Sequence, residues 1–311
     1  MALIQPPMMV HGGTHPARAM RMMIRDLARG NAGVTEGNDL RVSPLPTPGA
    51  GVRVGDGSAV VRGASWAQGS YTQYNVGDAI VPIAPTGASA RSDLVTLRIE
   101  DPEYEGTRDP LTQDIGYFHV VSGVSASTTA PPAGMTAIPL ARIDIPANTA
   151  TITSAMIKEL RSIANPRKDR RIYTASPPGD QNWAGNAKGT FVAWPPAAKW
   201  TIAVPPWATT VRVVMTIAGV QVLKGGIWAY FAWRLGPSVQ GQGVTADTGK
   251  SDGSERLNLI SADTQTVPAL LRGTNQPLTA LMGLDSDQAG VLQADVATTA
   301  VCDIEFSEGV V

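Results

Sequence analysis

Apolar positions recur with helical spacing over residues 16–29 and with a period of two from residue 52 onward, a change that predicts most of the architecture. In the first stretch Ala17, Met20, Ile24, Leu27 and Ala28 fall on one stripe, while Arg18, Arg21, Arg25 and Arg29 run along another side at spacings of three and four. Thr14 or His15 can cap such a helix, Pro16 suits its first turn, and Gly30 can supply a left-handed stop. The arginine stripe is either a solvated basic flank or a surface that meets carboxylates of a neighbouring subunit, because planar guanidinium groups are favoured at interfaces.

Residues 52–146 read as short strands separated by Gly, Pro, Asn and Asp. Gly55-Asp56-Gly57 stands between two apolar runs, and Asn75-Val76-Gly77-Asp78 precedes another, so both are expected to be hairpin turns. Val95, Leu97 and Ile99 alternate against Arg98 and Glu100; Ala141, Ile143 and Ile145 alternate against Arg142 and Asp144. A short helix is expected over about 154–163, from a Thr153 or Ser154 cap through Met156, Ile157 and Leu160. Residues 164–172 carry Pro166 near their start and hold four basic and one acidic side chain within 167–171, which reads as a solvated basic linker rather than a nucleic-acid patch.

Beyond it, Val211, Val213, Met215 and Ile217 share a face, as do Val296, Ala300, Cys302, Ile304 and Phe306. Regularly spaced strands without long helices predict a two-sheet sandwich or jelly roll. The expected fold class is therefore mostly β. A helix and a strand-rich domain over 1–163 are followed by the linker and by a jelly-roll-like β-sandwich over 173–311.

Composition narrows the function. Of 311 residues 43% are apolar and 16% charged, and 25 basic side chains nearly balance 26 acidic ones, so no global field would draw the chain to nucleic acid or anionic lipid. The single cysteine excludes an internal disulfide framework, and Cys302 reads as a small core residue. The N-terminal apolar stretch is interrupted by Pro6 and Pro7 and makes a poor secretion signal, and no window reaches the roughly 18 apolar residues of a membrane span.

Catalytic patterns are missing. His11, His15 and His119 have no metal-ligand spacing, and no nucleophile elbow, phosphate loop or zinc helix motif occurs. The run Glu100-Asp101-Pro102-Glu103-Tyr104-Glu105 is the densest carboxylate group; it is a solvated loop, a metal site or an acid/base pair. Asp247, Asp252 and Glu255 match no calcium loop. The expectation is a protein without enzymatic activity, metal or cofactor.

The strand Ile227–Leu235 puts Ile227, Phe231, Trp233 and Leu235 on one face and Trp228, Tyr230 and Arg234 on the other. The second face is covered core, a subunit interface, or a ring platform that stacks on a sugar. Trp200 and Trp207, near Pro205-Pro206, admit the same alternatives.

Arg91-Ser-Asp-Leu-Val, the acidic run with Pro102, and Leu140-Ala-Arg-Ile-Asp-Ile-Pro before the Thr-rich turn and Ile157-Lys-Glu-Leu-Arg resemble minor tail proteins of phages infecting actinobacteria, over residues 1 to about 165. The resemblance implies an architectural role in a virion tail tip or baseplate, with the N-terminal domain as anchor. It also implies association with other tail proteins and with copies of itself, a trimer being favoured. The segment Trp200-Thr-Ile-Ala-Val-Pro-Pro-Trp is similar to carbohydrate-binding-type sandwiches hung on such proteins, which implies host cell-wall glycan as a partner. A tail-associated glycan-degrading enzyme is the remaining alternative.

Overall fold

The computed structural model describes residues 4–251, 255–284 and 290–311, and it divides the chain into two units, Met1–Pro166 with Val310–Val311, and Arg167–Gly309. Both are built almost wholly from antiparallel strands, as the period-two patterning predicts.

The first unit opens with helix α1, Ala17–Leu27. Pro16 occupies its N-cap and no side chain caps it, so the expected Thr14 or His15 cap does not form. The chain leaves α1 through two left-handed residues, Arg29 and Gly30, with the Gly30 amide donating to the Arg25 carbonyl. Ten strands follow: β1 (Gly33–Val34), β2 (Val42–Pro44), β3 (Gly51–Val54), β4 (Gly57–Arg62), β5 (Ser70–Asn75), β6 (Ala79–Pro82), β7 (Arg91–Ile99), β8 (Gly116–Val124), β9 (Ala137–Ile145) and β10 (Ile157–Glu159). They form three sheets, ordered β1-β4-β5, β2-β3-β6 and β10-β9-β7-β8.

The two expected hairpins are instead crossovers. β3 and β4 lie in different sheets, and so do β5 and β6; the chain passes from one three-stranded sheet to the other at residues 55–56 and returns at 76–78. Asn75 stitches both passages, its side-chain amide donating to the carbonyls of Gly55 and Gly77 at 2.8 Å each. Gly57 is required there, because its φ is +141° and a Cβ would lie 2.6 Å from Asp39 Cα.

β7 is buried on both faces from Asp93 to Leu97, and β9 alternates as its sequence predicts, with Ile143 and Ile145 in the core beneath Arg142 and Asp144. The short helix expected over 154–163 is reduced to a single 3-10 turn, Ser154–Met156. Residues 157–159 then complete the sheet edge against Ala141–Ile143, because pairing with an open edge satisfies more backbone than a one-turn helix.

The second unit contains β11 (Lys168–Ala175), β12 (Gln181–Trp183), β13 (Phe191–Ala193), β14 (Lys199–Ala203), β15 (Thr210–Leu235), β16 (Val239–Gln240), β17 (Val244–Ser251), β18 (Glu255–Thr266), β19 (Asn275–Leu284), β20 (Val291–Ala294) and β21 (Thr299–Ser307). β15 runs for 26 residues and belongs to two sheets. Its first half lies between β18 and β21, and its second half between β17 and β19. Register shifts around Gly219 and Gly225 let the strand turn the corner between them. One core joins Val211, Val213 and Met215 to Phe231 and Trp233, and β19 and β21 complete it.

The expected linker is part of this sandwich. Residues 168–175 pair in continuous register with 300–307, and the unit begins at Arg167. Three of its four basic residues find partners on or just past β21: Arg170 donates to Asp303 at 2.6 Å, Lys168 lies 3.4 Å from Glu305, and Arg167 forks onto Glu308. Val296, expected in the C-terminal core stripe, is 73% exposed in the turn before β21, while Ala300, Cys302, Ile304 and Phe306 are buried as predicted.

Candidate functional site

The arginine stripe and the acidic run, separate in the sequence reading, are each other's partners. α1 does not dock mainly by its apolar stripe: Ala17 is exposed, Met20 is 45% and Leu27 71% exposed, Ile24 is half-buried, and of the five only Ala28 is buried. Arg18, Arg21 and Arg25 turn toward the body of the unit, because rings and carboxylates line that side. Arg18 donates to Glu103 at 2.5 Å and to the Tyr104 hydroxyl at 3.0 Å. Arg21 donates to Glu103 Oε2 at 2.6 Å and to the Gln68 carbonyl at 2.9 Å, lies 3.4 Å from Asp101, and stands over the rings of Tyr71 and Tyr104. Arg25 stands over Trp66, and Arg29 remains exposed past the helix end. Gly69, at φ +78°, permits this approach, since a Cβ there would lie 2.7 Å from the Arg21 carbonyl carbon.

Every carboxylate of the run is occupied in the same way. Asp101 accepts from Tyr71 at 2.7 Å, Glu100 from Tyr117 at 2.6 Å and Arg108 at 3.2 Å, and Glu105 from Arg98 at 3.0 Å and the Thr136 amide at 3.0 Å. The Arg21 hydrogen bond holds the Glu103 carboxyl below its ordinary range, and the Tyr117 hydroxyl does the same for Glu100. Burial, and then the Asp101 carboxylate, push the Tyr71 hydroxyl up. Paired this completely, the loop has the chemistry of a structural clasp.

Four further pairs place an arginine two residues from a carboxylate, three of them on one strand face, Arg91–Asp93, Arg142–Asp144 and Arg171–Asp169, and the fourth, Arg161–Glu159, at the end of β10. The first contains the Arg91-x-Asp93 of the phage-tail resemblance. Its carboxylate is fully buried and also accepts from the Gly123 amide at 3.0 Å, tying β7 to the end of β8. Arg91 and Asp93 are thus scaffold.

In the second unit, Ile227, Phe231, Trp233 and Leu235 enter the core, and Trp228, Tyr230 and Arg234 lie on the opposite face. Trp228 is 48% exposed. Arg234 is engaged within the chain, donating twice to Gln240 Oε1 at 3.1 and 2.7 Å. Beside Tyr230 an open cleft of about 440 Å³ is lined by Phe191, Gln240, Gln242, Gly243 and Gln265, with Gly241 at its wall. Phe191, Tyr230, Gln240 and Gln265 come from four strands and residues 241–243 from the link between β16 and β17, so sequence reading missed all but Tyr230. Trp200 and Trp207 pack against the sandwich core, with Tyr173 beside the first and Arg167 over the second.

No family model and no curated protein matches the chain. Among solved structures it is similar to infectious bursal disease virus Gx strain, at 12% identity and a TM-score of 0.28, covering 89% of this chain and 75% of that one. It is also similar to the infectious bursal disease virus VP2 subviral particle, at 11% identity and a TM-score of 0.29, covering 90% and 74%. A Bacillus thuringiensis Cry1Da tryptic core variant matches at 8% identity and a TM-score of 0.20, covering 96% and 56%. These scores lie below those of a common fold.

Among the described residues no group of three or more His, Cys, Asp or Glu is placed to hold a metal ion, and no helix is long and apolar enough to cross a membrane. Asp247 and Glu255 are exposed, and Asp252 lies outside the described residues. Cys302 is buried, and burial pushes its thiol up to about 12.

Proposed function

We propose that the chain is a non-enzymatic structural protein of a phage tail tip or baseplate, assembling with copies of itself, a trimer being favoured, and with other tail proteins. The first unit is the anchor, and the sandwich takes part in host adsorption. The observation that carries this reading is the fate of the residues resembling minor tail proteins. Arg91 and Asp93 brace β7, Arg142 and Asp144 brace β9, and the acidic run clasps α1, so these charged side chains are engaged in architecture. Sizing and negative-stain imaging of the purified chain, alone and with tail components, tests it. A defined oligomer that binds those components is expected; a monomer that never associates contradicts it.

A second reading makes the sandwich a reader of host cell-surface glycan. It is favoured by the half-exposed indole of Trp228 beside Tyr230 on a face not committed to the core. Loss of glycan-array binding on Trp228→Ala with assembly intact supports it; loss of oligomerisation makes the face a subunit interface.

A further inference from the structure

We infer that the cleft beside Tyr230 binds a neutral saccharide, held by the rings of Phe191 and Tyr230 and by the side-chain amides of Gln240, Gln242 and Gln265. The inference rests on the glycan reading of the same unit and gives it a site and a ligand class.

The trough exists because two positions lack side chains. In strand register Phe191 lies opposite Gly283, and Gly283 opposite Tyr230, so an empty position separates two aromatic residues on one sheet face. The Phe191 ring fills part of that gap, since a Cβ at Gly283 would sit 3.0 Å from it. Gly243 leaves the rest open: a Cβ there would lie 3.6 Å from Phe191 Cζ and 3.6 Å from Tyr230 Cβ, ordinary contact distances. Ring faces beside an open trough suit the C–H faces of a pyranose.

The polar lining is amide throughout. Gln240 spends its oxygen on Arg234, which leaves its NH2 group to donate. Gln265 donates to Asp263 at 2.7 Å, which leaves its oxygen to accept, the amide orientations following from these bonds. Against the effect of burial, that bond and the Gln242 and Thr264 amides hold the Asp263 carboxyl below its ordinary value, so it stays an anchor for the Gln265 side chain and the Gln242 backbone. Paired donors and acceptors match sugar hydroxyls. Among the described residues no charged side chain lines the cleft, and none there would neutralise a phosphate, sulfate or uronate.

The test is calorimetry of the full chain with maltohexaose, mannohexaose and N-acetylchitohexaose, with an oligogalacturonate and a proline-rich peptide as counter-probes. At least one neutral hexasaccharide is expected to bind with a dissociation constant on the order of 1 mM or tighter. Tyr230→Ala and Gly243→Val should each weaken it by about tenfold or more. Gly243 has no left-handed φ, so valine fills the trough without backbone strain, and unchanged near-ultraviolet dichroism verifies the fold. No binding by any neutral probe, unaltered affinity in a folded Gly243→Val chain, or preference for the acidic sugar or the peptide overturns the inference. Each of these leaves the virion reading standing, since that reading is tested on assembly and not on sugar.

Discussion

Arg21 and Glu103, 82 residues apart, meet at 2.6 Å between Nη2 and Oε2, and through this bond α1 docks by its basic side rather than its apolar one. The guanidinium is largely covered, with Tyr71 and Tyr104 against its face and the Gln68 carbonyl on its Nε. Charge-assisted bonds to a partly covered group are worth more than exposed ion pairs.

Two alanine substitutions on α1 should therefore rank against intuition. Arg21→Ala is expected to cost about 1–2 kcal/mol, discounted for the partial exposure of Glu103. Leu27→Ala, at a side chain 71% exposed, should stay within about 0.5 kcal/mol. Denaturant unfolding of both variants decides; the reverse order would mean that the apolar stripe holds the helix.

Acid should loosen the clasp. Glu100 and Glu103 are held below their ordinary values when folded, so each contributes stability that is complete above the unfolded value of about 4.3 and is lost as pH falls through the lower folded one. Asp295, held at about 2 chiefly by Arg256, behaves likewise in the second unit. The melting temperature should fall between about pH 5 and pH 2, and Glu103→Gln should flatten that fall. A melting temperature that rises on acidification would contradict the sign.

Hydrogen exchange separates a strand from a linker at residues 168–175. Amides paired with 300–307 should be protected alongside those of β21, whereas a hinge would exchange as fast as an unfolded peptide.

Gly241→Ala should destabilise the sandwich by roughly 1–3 kcal/mol or more. A Cβ there would lie 2.3 Å from the Trp233 ring, which is fully buried and has no room to move. Calorimetric unfolding checks it, and wild-type stability would show that the ring yields.

What the sequence disclosed follows the range of the interactions. Period two in β9, in both halves of β15 and in β21 is local, and it set Ile143, Met215, Phe231 and Ile304 on the strand faces that the fold buries. Turn residues at 55–57 and 75–78 marked where the chain reverses but carry no information on which sheet it enters next. The arginines of α1 and the acidic run were both visible, yet nothing local pairs groups some 80 residues apart, so the stripe read as a solvated flank or a subunit interface and the run as a solvated loop, a metal site or an acid/base pair. Arg167, Lys168 and Arg170 resembled parts of a solvated linker because their acidic counterparts lie on β21 or just past it. The cleft was the least legible feature, since Phe191, Tyr230, Gln240 and Gln265 come from four strands and meet only through register.

The central claim, that this is a structural component of a phage tail tip, is tested most directly by electron microscopy of virions labelled with gold-conjugated antibody raised against the purified chain. Gold confined to the distal end of the tail, in a constant small number per particle, is the predicted result. Particles without label, or label on the head or tail shaft alone, would contradict it.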